Sequence, residues 1–196
     1  MFFHSTKQGG FTLIEVIIAL AISSLIFLLL TSIYIIAQNT YKQADAKGEI
    51  TQNGRVILDR MVREIRQTPD IITQLPSNAS DTAALPSEIM FQDGHNMTTT
   101  TYIRYFLDQT DNAQLIRRQV IVYYFPSDPN YYVHSYDTDS DPPHNPPISQ
   151  VLDDRIIGEY ADDIEFWGNP LTNINLYLSR NGQSAIISTA VYGRNL

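Results

Sequence analysis

Hydrophobic and polar positions divide the chain into two unlike parts. From Phe11 to Ala37 it reads FTLIEVIIALAISSLIFLLLTSIYIIA, with Glu15 as the one charged residue. Apolar side chains occupy every face of this stretch when it is wound as a helix. A water-soluble amphipathic helix would place polar residues at every turn. At about 1.5 Å per residue the segment spans roughly 40 Å, more than the ~30 Å hydrocarbon core of a bilayer. The pattern predicts a membrane-spanning helix. Ser23, Ser24, Thr31 and Ser32 are compatible with lipid because their hydroxyls can return to backbone carbonyls one turn back.

After Ala37 the period remains helical while the composition becomes amphipathic. No proline occurs between Gln38 and Gln67, and Ile50, Ile57, Met61 and Ile65 recur as a stripe with Leu58 and Val62 beside them. Asp59 faces Arg63, and Arg60 faces Glu64, at the i,i+4 spacing of helical ion pairs. Pro69 pushes Thr68 out of the α region, so the helix is expected to run from residue 11 to about 67. Its second half has an apolar stripe and therefore needs a sheet to cover it.

From residue 69 onward the period changes to two. Glu88–Phe91, Thr100–Leu107 and Gln114–Phe125 read as strands. Residues 126–148 hold six prolines and four aspartates and read as a long loop. Within Val151–Trp167 the pattern is ambiguous, with Asp162–Trp167 the favoured strand. Ile174–Ser179 and Ser184–Tyr192 flank Asn181-Gly182, the strongest hairpin signal in the chain. The expected fold is α+β, a lollipop: a long N-terminal helix packed on a C-terminal antiparallel sheet.

Charge sharpens this division. Residues 1–66 carry seven basic and five acidic side chains, and residues 67–196 carry six and sixteen, which sum to the net −8 of the chain. A sheet domain this acidic repels phosphate backbones, so nucleic acid is not expected as its main partner. The 196 residues include no cysteine, which excludes disulfides, cysteine-ligated metals and cysteine nucleophiles together. No phosphate loop or nucleophile motif occurs, and the chain reads as a non-enzyme. Lys7 precedes the apolar segment without an acid, whereas Lys42 and Lys47 after it are balanced by Asp45 and Glu49; this favours the leader inside and the bulk outside.

The chemistry at the head of the helix lies in Gly10-Phe11-Thr12-Leu13-Ile14-Glu15-Val16. This segment, followed by some twenty apolar residues, resembles the signal of type IV prepilins and type II secretion pseudopilins. The resemblance implies that a prepilin peptidase/N-methyltransferase cuts after Gly10 and methylates the new amine of Phe11. Residues 1–10 would be a cleaved leader, 11–37 the transmembrane and filament-core helix, 38–68 its soluble half, and 69–196 the globular domain. Physics runs alongside. A carboxylate inside a bilayer costs several kcal/mol unless paired, and Glu15 lies one turn from Phe11. In a bundle of such helices Glu15 can pair with the Phe11 amine of a neighbour. Wrong registers leave both charges unpaired, so the pair acts as a register device.

The resemblance further implies other pilins or pseudopilins and an inner-membrane assembly platform as partners. It also implies a single-pass location in a bacterial membrane and then in a pilus or pseudopilus. Many major pilins have a proline where this chain has Ser32, which favours a minor subunit. QNGRVILDRMVREIRQT, YIRYFLD, IIGEYADDIEFWG and AVYGRNL resemble segments of PilW-type minor pilins and J-type pseudopilins. The expected function is thus a minor type IV pilin that begins or caps a pilus. The alternatives are a J-like pseudopilin at the tip of a secretion pseudopilus, or a tip module for adhesion or DNA uptake.

Two other constellations carry alternatives. Asp137, Asp139 and Asp141 alternate and could gather calcium, but the glycine and glutamate of an EF-hand are replaced by Pro142 and Ile148. A solvated acidic loop is the favoured reading, with no cofactor. Tyr123, Tyr124, Tyr131, Tyr132 and Tyr136 read either as strand packing or as a sticky surface. Arg117-Arg118 is expected to pair with the surrounding acids.

Overall fold

The computed structural model describes residues 10–80, 84–95, 99–110, 114–140 and 143–193. One helix, α1 (Leu13–Ile65), is followed by eight strands: β1 (Glu88–Gln92), β2 (Tyr102–Asp108), β3 (Leu115–Phe125), β4 (Asp128–Val133), β5 (Ile148–Glu159), β6 (Ala161–Trp167), β7 (Leu171–Arg180) and β8 (Gln183–Tyr192). The chain divides into two compact units, Met1–Asp45 and Ala46–Leu196.

In the first unit the described residues form the head and apolar part of α1, and every side chain is exposed. This part is long and apolar enough to cross a membrane. Its hydroxyls behave as a lipid environment requires. Ser24 donates to the carbonyl of Leu20 at 2.7 Å, Thr31 to Phe27 at 2.9 Å, and Ser32 to Leu28 at 2.9 Å.

In the second unit the last five turns of α1 lie on two antiparallel sheets. The first has the order β1-β2-β3-β4, with β5 pairing the other edge of β3; the second has the order β6-β7-β8. Ile50, Ile57, Leu58, Met61 and Ile65 of α1 are buried with Ile89, Phe91, Ile103, Tyr105 and Ile116 of the first sheet and Ile164, Phe166, Ile174, Leu176 and Leu178 of the second. Each of these large side chains gains about 1.5–3 kcal/mol from burial, and this core is what keeps the helix end on the sheets. The seat is tight. A side chain at Gly54 would meet Leu178 and Ile187, and one at Gly158 would meet Ile57.

Strand pairing follows the alternation in sequence. In β7, Thr172, Ile174, Leu176 and Leu178 are buried, and the register to β8 runs unbroken over ten pairs. The hairpin closes on Asn181 (φ 51°) and Gly182 (φ 75°), the positive pair of a type I′ turn.

The structure corrects three expectations. The helix ends at Ile65 rather than near 67. The segment 126–148 is not wholly loop, because Asp128–Val133 forms β4 against Tyr123–Phe125 of β3. Proline at 129 does not exclude this, since β4 is an edge strand and can leave a donor unpaired. The single expected sheet is two. Val151–Trp167 holds both β5 and β6, separated only by Tyr160 in the left-handed region at φ 66°. One residue thus turns the chain from the first sheet to the second, with no glycine or proline to announce it.

The chain leaving α1 is held by a close backbone approach. A Cβ at Gly94 would fall on the carbonyl of Gln67. Gly94→Ala therefore has to move backbone, and should lower the melting temperature by about 5 °C, corresponding to about 2 kcal/mol, in thermal unfolding of the full chain in detergent.

Candidate functional site

The head of α1 carries the first candidate site. Gly10 and Phe11 precede the helix, and Phe11 is 89% exposed. Thr12 stands at the N-cap. Its backbone N–H donates to Glu15 Oε2 at 2.8 Å, and its hydroxyl donates to the same oxygen at 2.9 Å; the Glu15 N–H lies 3.3 Å from the Thr12 hydroxyl oxygen and donates to it. This is a capping box: the threonine satisfies one free donor of the first turn, and the glutamate returns to satisfy another. The acid also complements the positive end of the helix dipole. Expectation placed Glu15 as a charge awaiting a partner. The structure adds that Oε2 already has one within its own chain, while Oε1 makes no hydrogen bond among the described residues. The pattern T-x-x-E was the signal that could have identified the cap.

The second unit carries charge in defined places. Glu64 of α1 lies under the first sheet, where Arg118 of β3 donates to it at 3.0 Å and the Tyr105 hydroxyl of β2 at 2.6 Å. Side-chain exposure is 12% for Arg118 and 14% for Glu64, and Tyr105 is fully buried. Burial, with the Glu64 charge added, pushes the Tyr105 hydroxyl well above its ordinary value, so it stays a donor. Burial opposes the charge of Arg118, but the bond to Glu64, the charge of Glu64 and the neighbouring Tyr105 together outweigh this and hold its pKa above the usual one. The buried pair fixes the angle of α1 on β2 and β3.

On the opposite face of that sheet, Arg117 bridges Asp108 at 3.1 Å and Asp154 at 2.9 Å. Thr110 and then Arg117 hold the Asp108 carboxyl below its usual range; Gln119 and then Arg117 do the same for Asp154. The expectation that Arg117 and Arg118 pair with acids is thereby met. At the other end of the helix seat, Glu49 pairs with Arg180, whose guanidinium lies 4.6 Å over the Tyr160 ring. This ties α1 to the one-residue joint between the sheets.

Of the calcium candidates, Asp137 and Asp139 are described and each accepts a local hydrogen bond. Asp137 Oδ2 accepts the His134 N–H at 2.7 Å, and Asp139 Oδ2 accepts the Ser127 hydroxyl at 3.4 Å. Asp141 lies outside the described residues. Among the described residues no group of three or more acid or histidine side chains is arranged to hold a metal ion. Of the tyrosines, Tyr131 and Tyr136 are exposed, whereas Tyr123 packs edge-on against the buried Tyr102 at 5.3 Å.

The first unit is thus a capped apolar helix of membrane-crossing length, and the second an antiparallel sheet domain seated on the amphipathic end of α1. Residues 5–31 match the prokaryotic N-terminal methylation motif, and the chain is type IV prepilin-like. Chains with this motif are substrates of prepilin peptidase and assemble with other pilins as structural, non-enzymatic subunits. Neither the curated proteins nor the solved structures contain a match to this chain.

Proposed function

We propose that the chain is a minor type IV pilin that enters a filament through α1 and begins or caps it. Prepilin peptidase cuts after Gly10, the amine of Phe11 is methylated, and the leader remains cytoplasmic while the sheet domain lies outside. The observation that carries this reading is the head of the helix: Gly10-Phe11 in an exposed segment, Glu15 four residues on, and an apolar helix behind them. Until cleavage, residue 11 bears a peptide nitrogen rather than an amine, so processing creates the counter-charge that Glu15 lacks. The open Oε1 of Glu15 is positioned to accept from a neighbour's amine while Oε2 keeps the capping box. Ser32, in place of the mid-helix proline of many major pilins, supports the minor role.

The pseudopilin reading shares every one of these steps and differs only in the filament entered. Mass spectrometry of the native protein tests both. The expected species begins at Phe11, carries one added methyl group and has 186 residues. An intact Met1 start would overturn the reading. Genes beside this one, from a pilus or a secretion operon, would separate the two filaments.

A further inference from the structure

The buried face of α1 in the second unit is satisfied by the two sheets; its exposed face is not. Arg55, Val56, Asp59 and Arg63 are exposed on that face, and with Arg60, Glu64 and His95 they line an open groove of about 700 Å³. The balance in the groove is basic. Glu64 is engaged by Arg60 at 3.5 Å and from the other side by Arg118 and Tyr105, and Asp59 pairs with Arg63. Arg55 makes no ion pair among the described residues.

The opposite side of the same unit is its complement. Leu178 of the second sheet faces Gly54 of α1, so the alternate row of β7 faces away from the helix. On that outer row Tyr177 and Asn175 donate to Glu165 Oε2 at 2.8 and 3.3 Å, and Ser179 donates to Asp162 Oδ1 at 2.8 Å. Asp163 is in register with Tyr177. These three carboxylates are held by neutral donors and have no lysine or arginine partner among the described residues. Groove and flank lie on opposite faces of one layer, so they cannot meet within a chain.

We propose that the basic groove of one copy of this chain docks the Asp162–Asp163–Glu165 flank of a second copy. This rests on the filament-subunit reading and names the surfaces through which the sheet domains meet. The contact is heterologous: each copy offers one groove and one flank, so a docked pair keeps one of each open, and further subunits can be added. A nucleic acid fits the groove less well. Residues 67–196 carry a net charge of −10, which repels an extended polyanion, whereas a compact carboxylate cluster on a folded flank presents its charge only where the arginines are.

The absence of native cysteine allows a direct test. Full-length Val56→Cys and Ser184→Cys chains, with different tags, are co-expressed in a bacterial inner membrane and oxidised. Val56 borders the groove, and Ser184 pairs in register with Ser179 beside Asp162. The mixed disulfide should exceed the Val56→Cys self-pair, which reads random collision, by about fivefold or more, and should fall as salt is raised. Adding Arg55→Glu and Arg63→Glu to the first chain should abolish the excess. Adding Asp162→Arg and Asp163→Arg to the second should then restore it, which also shows that the reversed chains are folded. A yield at the collision level, or one unmoved by charge reversal, overturns the proposal. So does retention of labelled DNA by the solubilised chain that is lost on reversal while the cross-link is not. A missing cross-link with methylated Phe11 sinks this contact alone; an unprocessed Met1 start sinks the filament reading.

Discussion

Arg118→Ala should unfold the sheet domain more readily than any other single truncation of a charged side chain in this protein, costing about 3 kcal/mol. The loss does not come from the strength of the Arg118–Glu64 attraction. It comes from Glu64, which would remain on α1 beneath the first sheet with 14% side-chain exposure and only the more exposed Arg60, at 3.5 Å, to offset its charge among the described residues. Tyr105 could still donate to it, but a neutral donor offsets only part of the charge. In thermal unfolding the melting temperature should fall by roughly 6–12 °C. The double variant Arg118→Met, Glu64→Leu distinguishes this account from loss of packing. If the unpaired charge is the cause, the double variant should recover most of the stability, because apolar side chains of similar volume often replace a buried pair without net cost. If the double variant is as unstable as the single one, the pair is needed for its shape and the account fails.

Glu15→Ala should leave the chain in the membrane and processed at Phe11, yet reduce its recovery in sheared filaments at least tenfold, about 1.4 kcal/mol or more per inserted subunit. Two losses combine. The capping box to Thr12 disappears, at a cost of about 1 kcal/mol to the helix head. The Phe11 amine of the neighbour then has no acid to meet in an apolar core. Thr12→Ala separates the two terms, since it removes the cap and leaves the carboxylate; it should reduce recovery far less. Recovery of Glu15→Ala at the level of the unaltered chain would remove the register role from Glu15.

Much of this was legible along the chain because the responsible physics is local. The uncharged and largely apolar residues from 16 to 37 admit only a membrane or a bundle core, whatever lies around them. The stripe of Ile50, Ile57, Met61 and Ile65 is a helical face because of its spacing, and Asn181-Gly182 is a hairpin turn because few other residues tolerate two positive φ angles in succession. Glu15 stands out because an acid in an oily helix is costly, whereas Gly10 and Phe11 are singled out by the resemblance to prepilin signals. The capping box was equally local, and was obscured only because the same glutamate invited a longer-range reading.

What the sequence by itself determined is therefore the division of the chain: an apolar helix with one acid at its head, an amphipathic continuation, and an acidic domain of alternating strands. Only the tertiary structure decided which distant partner each strand arginine received, whereas the helical pairs Asp59–Arg63 and Arg60–Glu64 follow from spacing. Arg117 and Arg118 are neighbours in sequence, but strand alternation points one outward to Asp108 and Asp154 and the other inward to Glu64. The split into two sheets at Tyr160 was settled in the same way. A single left-handed residue needs no special composition when a stacked guanidinium and an ion pair from elsewhere in the fold hold it in place.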